Sequence, residues 1–205
     1  MDNNHFSQAT GCHLSTAKVW RPVLVAEMEK AGIRERLDVC MLLALSAANT
    51  EEFSRVSEEF NYSSGELRRL FPGKFSPYQA SMLGYQMLEK EIPISRQRAI
   101  ANLSYGGRAG NTDKEDGWNF RSRGLLPVRG RRAYSELSGL VAVDLIANPD
   151  ELLEPEIAAR AACALFVARG GAGVRNASVA ACLFGLSDDA HSVVQANYRR
   201  ARAAL

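Results

Sequence analysis

Apolar residues return at helical spacing through most of this chain, and that period constrains the fold more than any other feature. Leu37, Cys40, Met41, Ala44, Leu45 and Ala48 keep the i, i+3, i+4, i+7 rule, which predicts a helix over about residues 34–48. Trp20, Leu24, Met28 and Ala31 predict an earlier helix. Ser15 or Thr16 is its natural N-cap, Pro22 a kink near its start and Gly32 its stop. Ile157, Ala161, Ala164, Leu165 and Ala168 predict a third, ended by Gly170-Gly171. Ser187 caps a last helix with Asp188 and Asp189 in its first turn. Arg199, Arg200 and Arg202 stand near its end, where the helix dipole favours cations. Shorter helices are expected near residues 63–70, 77–88, 95–102 and 131–138. No stretch reads as a strand and no repeat occurs, so the expected class is mainly α.

The chain has 205 residues, 46% hydrophobic and 23% charged, which excludes wholesale disorder. That length suits one domain, with room for two lobes. The net charge of +2 does not point to nucleic acid or to a membrane surface. The longest apolar run, Val39 to Ala48, is too short to span a bilayer. The N-terminus lacks a basic region followed by an apolar one, so a chain made in the cytoplasm without a signal peptide is expected. Release would then need a holin, a secretion machine or lysis. Cys12, Cys40, Cys163 and Cys182 are scattered without a CxxC pair, and the histidines are His5, His13 and His191. This predicts no metal site and no cofactor. Cys40 and Cys163 lie in apolar helical patterns and are expected as buried free thiols.

One stretch breaks the helical period. Residues 104–130 hold six of the sixteen glycines, interleaved with charged residues and Asn111. It reads as a long ordered loop, and such loops in compact domains are usually functional.

Motifs in and around this loop carry a family resemblance. They begin with Ala9-Thr10-Gly11-Cys12, Trp20, Phe53 and Asn61-Tyr62-Ser63. The most specific are Tyr105-Gly106-Gly107-Arg108-Ala109-Gly110-Asn111 and the run from Asp116-Gly117-Trp118-Asn119 to Gly124-Leu125. Gly130-Arg131, Tyr134, Asp144-Leu145, Asn148-Pro149 and Pro155-Glu156 follow in order. Together they resemble the catalytic domain of glycoside hydrolase family 19, in its phage-endolysin form. The resemblance implies a two-lobed, lysozyme-like helical fold of chitinase or endolysin type. An N-terminal arm over residues 1–14 would precede a single domain over 15–205.

Such hydrolases need two carboxylates, an acid for the leaving oxygen and a base for the attacking water. The resemblance places the family's His-Glu-Ser acid segment on Ala48-Asn49-Thr50, so Asn49 stands where the acid is expected. An amide has no proton to give near neutral pH. The base position falls on or beside Glu58, in Ser57-Glu58-Glu59. The family's Gln-x-Thr, whose hydroxyl holds water, is replaced by Pro127-Val128-Arg129. A sugar-contacting asparagine is replaced within Val179-Ala180-Ala181-Cys182. The resemblance leaves Tyr62, Tyr105, Asn111, Arg121 and Arg129 as substrate-binding candidates.

Two readings stand beside each of these residues. Glu58 is either a surviving base or half of a structural ion pair, with Arg121 or Arg123 the first partners to expect. Arg129 either plugs the site or pairs with Glu58. Glu51 and Glu52 are substitute acids only if the helix continues past Asn49, which would set Glu52 one turn away on the same face. Trp118 and Tyr62 either stack on sugar or pack in the core. Arg121, Arg123, Arg129, Arg131 and Arg132 form an anionic-polymer patch, or else Arg121, Arg123 and Arg131 are internally paired scaffold residues. The leading expectation is a catalytically degenerate endolysin-like pseudoenzyme. Its partner would be peptidoglycan, a chitin-like glycan or a protein. The alternatives are a hydrolase with an altered acid and an anionic-polymer binder.

Overall fold

The computed structural model describes residues 1–205. It is mainly α, as the period predicts, with eleven α-helices, one short 3-10 helix and no strand. The helices are α1 (Asn3–Thr10), α2 (Leu14–Lys30), α3 (Arg36–Asn49), α4 (Ser64–Leu70), α5 (Pro77–Leu83) and α6 (Ile94–Tyr105). They continue with α7 (Asp116–Asn119), α8 (Arg131–Val141), α9 (Pro155–Ala168), α10 (Ala177–Leu183) and α11 (Asp188–Ala204). Two compact units divide the chain. The first takes Met1–Ser57, Arg123–Pro127 and Glu136–Leu205; the second takes Glu58–Ser122 and Val128–Ser135.

In the first unit α3 is the central element. Every residue from Cys40 to Ala47 is buried, which explains why that run, Ser46 apart, is apolar on every face rather than on one. α11 and α1 pack on α3, and α2 packs on α9. The Glu35 carboxylate accepts from the Leu37 and Asp38 amides and so caps α3. All four cysteines are free thiols, and Cys12, Cys40 and Cys163 are buried. Burial, reinforced by Glu27, pushes the Cys163 thiol up to about 12, so it stays protonated and inert.

Two helix ends depart from expectation. α2 begins at Leu14 with His13 in the cap position, so Ser15 and Thr16 lie inside its first turn. The reason is the short connection from α1, whose cap Gly11 takes φ +81°. The Ser7 hydroxyl ties that turn by donating to the Cys12 carbonyl (2.6 Å). α5 ends at Leu83, not near 88. There the Gln86 amide donates to the Ser81 and Gly84 carbonyls and takes the place of the next helical turn.

The second unit is built on aromatic packing. Phe60, Phe71, Phe75 and Tyr105 are buried with Leu67, Ile92 and Ile100. α4 and α5 each open on a capping box, Ser63 with Glu66 and Ser76 with Gln79. The buried Gln97 amide joins loop to helix, accepting from the Phe60 N–H (3.0 Å) and donating to the Ile92 carbonyl (2.8 Å). The single turn of α7 lies flush on α6. The Trp118 N–H donates to Asn102 Oδ1 (2.8 Å). A Cβ on Gly117 would stand 2.4 Å from the Ala101 carbonyl oxygen and 2.6 Å from Asn102 Cα. Those neighbours are backbone and cannot swing away. Gly117→Ala is therefore expected to lower stability by about 3 kcal/mol. Urea unfolding would read this as a lower midpoint at unchanged slope, and an unchanged midpoint would contradict the close approach.

Candidate functional site

Glu58 begins the second unit in an extended segment. Its N–H donates to the Ser122 carbonyl (2.9 Å), and the Ser122 N–H returns a bond to Glu58 Oε2 (3.1 Å). The side chain is 12% exposed. The Tyr105 hydroxyl donates to Oε1 at 2.5 Å, and Arg129 Nε lies 3.4 Å from Oε2. The Arg129 guanidinium also covers the Tyr105 ring, 4.7 Å from its centroid. One carboxylate thus meets a phenol, an amide and a guanidinium.

The electrostatics match that arrangement. Burial, then the Glu58 charge, push the Tyr105 phenol well above its usual range, so it keeps its proton and donates. The Tyr62 phenol is raised for the same two causes. For Arg129, burial works toward a lower pKa, but Glu58 and the two tyrosines outweigh it and raise the value. A carboxylate held by three donors is poorly placed to take a proton from water. Of the three, Arg129 is the one with freedom to leave, since its side chain is 47% exposed.

The glycine-rich loop supports this cluster. Asn111 is buried, its amide donating to the Tyr105 carbonyl (3.0 Å) and accepting from the Arg131 N–H (2.8 Å). Asp116, fully buried, accepts from the Thr112 and Asp113 amides and from Arg131 Nε and Nη2 (2.8 and 2.6 Å). The Arg121 guanidinium lies over the Trp118 ring at 3.9 Å. Tyr62 meets Phe60 and Phe71 edge-on, and Trp118 tilts against Phe60. Both rings are partly buried and pack against that core. Asn61 and Ser63, from the motif beside Tyr62, tie down the Ile92 N–H and cap α4.

The first unit holds the position where the acid was expected. Asn49 is the last residue of α3, and its amide donates to the Gly124 carbonyl (3.2 Å). The helix does not continue toward Glu52. Glu51, Glu52 and Phe53 take left-handed φ values of 48°, 60° and 67°. Three consecutive residues there are strained, and packing holds them. Phe53 lies between Phe6 (5.4 Å) and Trp20 (5.7 Å). The Thr50 hydroxyl accepts from the Phe53 N–H, and Glu52 pairs with Arg200 Nη1 (2.9 Å). The Gly11 of the first motif faces that pair, for a Cβ there would collide with Glu52 Oε1 and the Arg200 guanidinium.

The ion pairs decide between two sequence readings, Glu58 with Arg121 or Arg123 and Glu58 with Arg129. Glu58 pairs with Arg129, not with Arg121 or Arg123. Arg123 is buried and reaches Asp150 (2.6 Å). Arg131 is taken by Asp113 and Asp116. Four of the five arginines of this segment are thus engaged within the protein, and Arg129 and Arg132 are the two that are exposed. Sequence reasoning missed that Tyr105 serves Glu58, and that the Ser122 amide does so as well. The Tyr105 contact spans 47 positions, and no spacing rule signals it.

Comparison with known proteins adds a limited likeness. No protein-family model matches the chain. Over 112 residues it is 32% identical to a glycosyl hydrolase family 19 domain-containing protein of Haemophilus influenzae, covering 54% of this chain and 52% of that protein. The match thus spans about half the length of each. No helix is long and apolar enough to cross a membrane.

Proposed function

We propose that this chain is a catalytically silent relative of the family 19 glycosyl hydrolases, which binds a peptidoglycan-like or chitin-like glycan without cleaving it. The likeness to a glycosyl hydrolase family 19 domain-containing protein supports the glycan class. The observation that carries the silence is the Glu58 carboxylate, already bound by Tyr105, Ser122 and Arg129. Asn49, at the expected acid position, presents an amide whose N–H is bonded to Gly124. A substitute acid is not supported either, because the left-handed turn sends Glu52 to Arg200. An inverting hydrolase needs both an acid and a free base; Asn49 is not an acid, and Glu58 is not a free base.

The test is digestion of purified peptidoglycan and of chitin, with fragments read by mass, beside a sedimentation assay on the same insoluble polymers. The natural chain is expected to co-sediment with one polymer and to release no fragments. An Ala48→His/Asn49→Glu/Arg129→Thr variant restores an acid and frees Glu58, and is expected to gain measurable cleavage. Fragments from the natural chain that vanish in Glu58→Gln would overturn the silent reading. Absence of both sedimentation and cleavage would overturn the glycan and leave a protein partner.

A further inference from the structure

The three arginines near the end of α11 serve different purposes. Arg200 turns inward, to Glu52 and to the Ala9 and Thr10 carbonyls. Arg199 and Arg202, one turn apart and both exposed, face outward. Together with Arg175 they line an open pocket of about 440 Å³ in the first unit, walled by Asn176, Gln195 and Tyr198. Arg175 is braced there by Asp38 (2.5 Å) and Glu35 (3.0 Å). Arg36 donates to the Arg202 carbonyl (2.6 Å) and ties the end of α11 to the start of α3. Three guanidiniums thus line one pocket, and the Asp38 and Glu35 carboxylates both pair with Arg175.

We propose that Arg175, Arg199 and Arg202 form a binding pocket for a compact phosphate-bearing ligand. Two cations at i, i+3 on one helix repel each other. The dipole at a helix C-terminus eases one of them, yet Arg175, held in place by Asp38 and Glu35, adds a third cation to the same pocket. Two guanidinium forks carry two charges, of which a single carboxylate balances one. A phosphate carries up to two charges and three acceptor oxygens, and fits both forks at once. The volume lies within the range of small-ligand sites. Gln195 supplies a neutral amide on the wall. The Arg202 guanidinium lies 5.7 Å from the centre of the Tyr198 ring, which also lines the pocket. The arginines converge on a pocket instead of running along a stripe, which favours a small ligand over a polymer.

Titration calorimetry on the full chain tests this, with pyrophosphate as the probe at constant ionic strength. Pyrophosphate is expected to bind one site. Arg199→Gln/Arg202→Gln is expected to weaken it at least tenfold, while Arg68→Ala/Arg69→Ala on α4 leaves it unchanged. Circular dichroism confirms that each variant is folded. If the double variant is not, Arg199→Lys/Arg202→Lys keeps the charges, removes the forks, and is still expected to bind several-fold more weakly. Adenosine diphosphate and fructose 6-phosphate, run alongside, tell a nucleotide source from a sugar phosphate. No heat with any of these, or equal affinity in the variants, overturns the pocket. A duplex DNA that binds more tightly than pyrophosphate, with a steep salt dependence, overturns the compact ligand.

Discussion

Phe60→Ala is expected to lower the unfolding free energy by about 4 kcal/mol, the largest effect of a single substitution here. Phe60 is fully buried, and three rings surround it: Tyr62 at 6.3 Å, Tyr105 at 5.9 Å and Trp118 at 6.3 Å between centroids. Truncation leaves a void among aromatic groups too large and too constrained to collapse into it. The loss would be read from urea or thermal unfolding. Phe60→Leu is expected to recover about half of it, because most of the volume returns without the ring contacts. A loss below about 1 kcal/mol for the alanine variant would mean that the ring cluster does not hold the second unit together. Because Tyr105 packs on Phe60 and donates to Glu58, the same change should also loosen the Glu58 cluster.

The second large effect is expected at Asp116. Asp116→Ala should lower stability by about 3 kcal/mol, since it strips a buried carboxylate from Arg131 and leaves the Thr112 and Asp113 amides without their acceptor. Its pH dependence has a definite sign. Burial works to raise the Asp116 pKa. The Arg131 hydrogen bonds and the two backbone amides outweigh it and hold the carboxyl below its ordinary value. A group depressed in the folded state contributes fully above its unfolded pKa of about 3.9, and loses that contribution as pH falls through the folded value. The difference in melting temperature between the natural chain and Asp116→Asn is therefore expected to be constant near neutral pH. It should shrink as pH drops below about 4. A difference that grows in acid would show that the carboxyl is not held ionised.

Much of the fold was legible in advance because helices are written locally. The apolar period marked α2, α3 and α9, and Ser187 with its two aspartates marked the start of α11. Boundaries slipped where a non-local contact set the end, as at Gly11 and Gln86. The site was legible in residue type but not in connection. Glu58, Tyr105 and Arg129 were each named as candidates, yet their joining in one cluster depends on a chain path that returns after 47 positions and again at 129. Asn111 stood out as a polar residue among glycines, and the fold uses it to pin the loop. Phe60 left no trace in the period, because it lies in an extended segment where helical spacing has no meaning.

By itself, the sequence determined the helical class, the burial of α3 and the absence of a carboxylate at position 49. These follow from residue identity and short-range spacing. Only the tertiary structure decided that Arg129, not Arg121 or Arg123, neutralises Glu58. It also decided that Glu52 turns away to Arg200, and that Arg199 and Arg202 meet Arg175. Those outcomes depend on which distant charges the packing brings within a few ångströms. Coulomb attraction selects a partner by distance and burial, and neither is written in the order of residues.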